Sequence, residues 1–69
     1  MATRIYRISQ LESTWVVEQD NLTMRSSTQA SAIEMAMTAA KYDGQHGYDT
    51  RIVLCASPGL WSQLWAGDG

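Results

Sequence analysis

Phenylalanine is missing from this 69-residue chain, and cysteine, proline and histidine occur once each. Each shortage excludes something. A single cysteine, Cys55, cannot close an internal disulfide. One histidine and one cysteine leave no cluster at metal-ligand spacing, so neither a metal nor a cofactor is expected. No run approaches the ~20 apolar residues of a membrane span. The opening Met-Ala-Thr-Arg-Ile-Tyr-Arg-Ile lacks the apolar core of a signal peptide, which predicts a cytoplasmic protein without membrane contact. Basic residues are few: five Lys and Arg stand against seven Asp and Glu, a formal net charge of −2. Non-specific nucleic-acid binding needs a basic footprint, so nucleic acid is not the expected partner. The chain holds no Walker loop, G-x-G-x-x-G, G-x-S-x-G or H-E-x-x-H motif, and the expectation is a protein that is not an enzyme.

What is present is apolar surface. Hydrophobic residues make up 45% of the sequence, with three Trp and three Tyr. That composition belongs to a folded domain and not to a disordered segment. Residues 1–69 form one domain, and a chain so short buries only about 60% of its unfolded surface. With no disulfide or metal in sight, a partner or a second copy is the expected source of added stability.

Thr3 to Ser9 reads as a first strand, rich in β-branched and aromatic residues. Gln10 to Ser13 suits a hairpin loop. Thr14 to Glu18 is a second strand, with Trp15 and Val17 on one face and Thr14, Val16 and Glu18 on the other. Asp20-Asn21 is a two-residue turn, and Leu22 to Arg25 a short third strand. An alanine-rich helix follows over 29–42, its apolar stripe at Ala30, Ile33, Met37 and Ala40. Thr28 is one N-cap; Ser31 with Glu34 offers a rival capping box. Gly44 marks the stop, and Asp43 to Asp49 a polar loop. Arg51 to Ala56 is apolar on both sides, as in a strand covered twice. Ser57-Pro58-Gly59 is a turn, Leu60 to Trp65 a last strand or a helical turn, and residues 66–69 a frayed tail. The order β-β-β-α-β-β predicts an α+β two-layer sandwich: an antiparallel sheet with one helix on one face.

That architecture has a surplus. Leu60, Trp61, Leu64 and Trp65 crowd the end of the chain. As a strand, Trp61 and Trp65 would share one side and Leu60 and Leu64 the other. One helix covers one face, so some of this surface would meet another protein or another copy. The candidate protein-binding residues are Trp61, Trp65, Leu64, Tyr6 and Val53. Other residues carry blander readings. His46 between Asp43 and Asp49 suggests a metal or acid–base site, yet three polar residues in a Gly-rich stretch are ordinarily a solvated loop. Cys55 reads as a core filler. Arg4 and Arg7 fall on opposite faces of their strand, and the arginines read as scattered surface charge.

The pattern Trp15-Val16-Val17, Thr28, Ala32-Ile33 and Ala36 resembles a family of small bacterial domains of unknown function. Those domains share a W-x-V hairpin and T-x-x-x-A-I-x-x-A on the helix. The resemblance implies the fold and no activity. The family's C-terminal strands are usually charged, and here they carry Leu60, Trp61, Leu64 and Trp65. More loosely, an alanine-containing helix, a strand and a turn into Gly59-Leu60-Trp61 are similar to one of the small phage-encoded anti-CRISPR inhibitors. That likeness implies a non-catalytic inhibitor that sterically blocks a bacterial defence complex.

Overall fold

The computed structural model describes residues 2–57 and 59–67. The elements are β1 (Thr3–Leu11), β2 (Thr14–Gln19), β3 (Leu22–Ser26), α1 (Gln29–Gln45), β4 (Asp49–Ser57) and β5 (Leu60–Gly67). The class is α+β, with one helix packed on a five-stranded sheet ordered β3-β2-β1-β4-β5.

The sheet is mixed, which corrects the expected antiparallel one. β1 and β4 run parallel, with Tyr6 opposite Ile52 and Ile8 opposite Leu54. The reason lies in the helix length. Each hairpin reverses the chain, so β3 runs in the same direction as β1. The 17 residues of α1 carry the chain back by roughly 25 Å at ~1.5 Å per residue. That is nearly the length of a strand, so β4 starts from the same end as β1 and must run parallel to it.

Local chemistry sets the boundaries. Leu11 pairs with Thr14, leaving a two-residue turn at Glu12 and Ser13, shorter than the loop expected from Gln10. Glu12 takes φ 58°, a left-handed conformation that costs a residue with a Cβ about 1 kcal/mol. Asparagine tolerates it better, so Glu12→Asn should raise stability by about 0.5 kcal/mol. An unchanged or lower urea midpoint would remove the strain argument. Asp20 and Asn21 form the turn between Gln19 and Leu22, as expected.

Thr28 is the N-cap: its Oγ1 accepts from the Ser31 N–H at 3.1 Å. The helix runs past Gly44, against expectation. Its stop is Gly47, at φ 89°. The Tyr48 N–H donates to the Asp43 carbonyl at 3.1 Å, and the Gly47 N–H to the Gly44 carbonyl at 3.2 Å. This pair of bonds is a Schellman closure, which needs the left-handed residue one position after the cap, His46.

The core lies under the helix. Tyr6, Ile8, Val17 and Ile52 of the sheet meet Ala32, Ala36 and Ala40. The buried stripe is thus rotated from the expected one. Ala30 is exposed, while Ile33 and Met37 flank the contact half-buried. Small alanines let the helix axis approach the sheet, and the larger side chains wedge in at the sides. β4 is covered on one face only. Its Val53 and Cys55, on the other face, stay half-buried.

Candidate binding surface

β5 pairs with β4 alone and forms one edge of the sheet. Its register is broken. Ile52 is opposite Trp65, but the next residue, Val53, is opposite Gln63. Leu64 is therefore an extra residue, a β-bulge, and it inverts the alternation of side chains on either side of it. Trp65 falls under the helix with Ile52 and packs against the core. Trp61, opposite Cys55, falls on the open face. The two tryptophans expected on one side of the sheet lie on opposite sides, because one residue was inserted between them.

The five candidate residues separate accordingly. Tyr6 is 2% exposed and lies beneath the helix, so it cannot meet a partner there. Trp65 is half-buried against the core. Val53 shares the open face with Trp61. Trp61 and Leu64 are 47% and 42% exposed, and Leu60, at 58%, joins them. Trp15, like Met24, packs half-buried against the core. The expected turn at Pro58 and tail at Asp68-Gly69 lie outside the described residues. Ala66 and Gly67, expected in that tail, belong to β5.

Gly67 has a packing role that its sequence position hides. A Cβ there would lie 2.3 Å from the Trp65 indole, so the ring lies over bare backbone. Gly67→Ala should push the indole outward, shift tryptophan emission to longer wavelength and cost about 1–2 kcal/mol. Unchanged emission and melting would show that the ring has room to move.

The polar residues flagged in the 43–49 stretch go to separate tasks. Asp43 is on the helix and buried, accepting from the Tyr6 hydroxyl and, at 3.2 Å, from Arg4 Nη1. The Arg4 guanidinium lies 3.9 Å from the centre of the Tyr48 ring. Burial, reinforced by the hydrogen bond to Asp43, pushes the Tyr6 hydroxyl up to about 12. A tyrosine held protonated so firmly is a poor general base at neutral pH. His46 stacks on Tyr42, ring centres 4.3 Å apart, and its Nδ1 lies 2.9 Å from the Tyr42 carbonyl. Among the described residues, no group of three His, Cys, Asp or Glu could hold a metal ion. The arrangement ties the helix end to β1 through Asp43, Tyr6 and Arg4.

One feature of the open face escaped sequence reading. Arg7, Arg25 and Arg51 all lie there, exposed. Only Arg4 turns to the helix side. Strand alternation gives the side within one strand, but the relation between strands needs the register. No family model, curated protein or solved structure matches the chain. Among the described residues, no helix is long and apolar enough to cross a membrane.

Proposed function

We propose that the protein is a non-enzymatic binding module whose partner is another protein, docking on the edge strand β5 and Trp61. The supporting observation is an exposed edge with no charge on it. From Ile52 to Gly67 the sequence has no charged residue, and Leu60, Trp61 and Leu64 are all exposed on this edge. Natural sheet edges are ordinarily protected by lysine or other charge, because their free N–H and C=O groups recruit foreign strands. Here the bulge at Leu64 is the visible protection. An edge left apolar fits strand addition by a partner, with Trp61 as the anchor. The resemblance through Gly59-Leu60-Trp61 extends the proposal to a phage-derived steric inhibitor of a bacterial defence complex, acting in the cytoplasm.

Differential capture tests the reading. Wild-type chain and a Leu60→Ser/Leu64→Ser variant, both folded by circular dichroism, are used as baits on the same bacterial lysate. A protein retained by the first and lost by the second is the expected result. Sedimentation equilibrium on the same pair covers a second copy as the partner. Identical retention and identical mass for both baits would end the proposal.

A further inference from the structure

The β5 edge does not account for the arginines on the open face. Arg25 on β3 is opposite Val16 of β2, which is opposite Ser9 of β1. Arg7 lies one row further along β1, and Arg51 of β4 is opposite Ile5, a row beyond that. The three make a diagonal across the face. Strand spacing and rise separate their Cα atoms by about 12 Å and about 8 Å. Among the described residues, the ion pair Arg4–Asp43 is the only one, so none of the described carboxylates holds these three guanidinium groups. Ile5 and Val53, half-buried, and Val16, buried, lie between and beside them, and Trp61 lies off the diagonal on β5, opposite Cys55 and one row from Val53.

This pattern constrains what covers the face. Three guanidinium groups against the two carboxylates of Glu18 and Asp49 leave the face net positive, which opposes stacking of two copies through it. A uniform polyanion is also a poor match. Glu18 sits beside Arg7 in register, strand alternation puts Asp49 on the same face, and the whole chain is net negative. Mixed charge around an apolar centre, with Arg and Trp prominent, is how protein interfaces are built. We propose that the open face binds an acidic protein segment, with carboxylates against Arg7, Arg25 and Arg51 and an apolar side chain against Val53 and Trp61. This rests on the protein-binding reading above and names the partner's chemistry. Opposite charges of this kind steer encounter and set register.

The probe is a displayed random dodecapeptide library selected on the immobilised full chain. The expected consensus holds two or more Asp or Glu around an apolar residue. Peptides of that consensus should bind at least ~10-fold more weakly to Arg7→Gln/Arg25→Gln/Arg51→Gln, and more weakly as salt rises. Because all three arginines are exposed, the variant should keep its circular dichroism; Arg25→Gln alone, with a smaller loss, covers a failure to fold. Absence of any selected peptide, a consensus without acidic residues, or affinity indifferent to the arginines would overturn the proposal. So would an oligothymidylate that binds more tightly than the peptides and depends on the same arginines. Peptides lost only in Leu60→Ser/Leu64→Ser would sink this inference and leave the edge reading standing. Peptides lost only in the arginine variant would do the reverse.

Discussion

Asp43→Ala should cost about 3 kcal/mol of folding stability, although Asp43 lies in a segment whose sequence reads as a solvated loop. Its carboxylate accepts from the Tyr6 hydroxyl inside the core and from Arg4 at the rim. Truncation leaves the phenol buried without an acceptor, and a buried unpaired polar group loses its water with no return. Asp43→Asn, which keeps one acceptor oxygen, should cost less. Arg4→Gln should cost least, because the guanidinium side is a third exposed and screened. The same cluster sets a pH dependence. The Tyr6 hydroxyl is raised to about 12 from its ordinary 10, so the folded chain holds this proton more tightly than the unfolded chain. The resulting stability is fully present below pH 10 and is lost as pH rises from 10 through 12. Two pH units correspond to about 2–3 kcal/mol. Urea titrations across that window should show the loss in the wild type and a much flatter profile in Tyr6→Phe. Parallel profiles would mean that the alkaline transition belongs to other groups.

Trp61→Ser and Trp65→Ala should have opposite effects, though the two residues stand only four positions apart. Trp61 is half-exposed on the open face, and its loss should leave melting within about 0.5 kcal/mol of wild type. Association with the captured protein should weaken by ~2 kcal/mol or more, about 30-fold, the scale of an interface anchor. Trp65 packs under the helix end against Ile52 and lies over Gly67. Its truncation should cost about 2–3 kcal/mol of folding stability, less than for a fully enclosed indole. If Trp65→Ala melts like wild type while losing the partner, the faces have been assigned the wrong way round. The proteins would be compared by thermal melts and by titration of the partner.

The fold was legible wherever one segment settled it. Strand composition, the Asp20-Asn21 turn, the Thr28 cap and the alternation of Trp15 and Val17 against Val16 were read correctly. Readings failed where a distant residue decided. Gly44 resembled a helix stop, but Asp43 was drawn into the core by Tyr6, and the helix continued to Gln45, closed by Gly47. The expected apolar stripe of Ala30, Ile33, Met37 and Ala40 holds only at Ala40; close packing buries Ala32 and Ala36 beside it and leaves the larger Ile33 and Met37 at the flanks. The alternation in Leu60 to Trp65 was sound until the bulge at Leu64 inverted it, and nothing local announces a bulge.

By itself, the amino-acid sequence determined the element order, the two layers and the surplus of apolar side chains near the end of the chain. Periodicity and turn chemistry act over a few residues, so they can be read from neighbours. Only the tertiary structure decided that β1 and β4 run parallel, that Trp61 and Trp65 part company, and that three arginines share one open face. Those outcomes depend on which strands lie side by side and in what register, and register is fixed by the whole sheet packing against its helix.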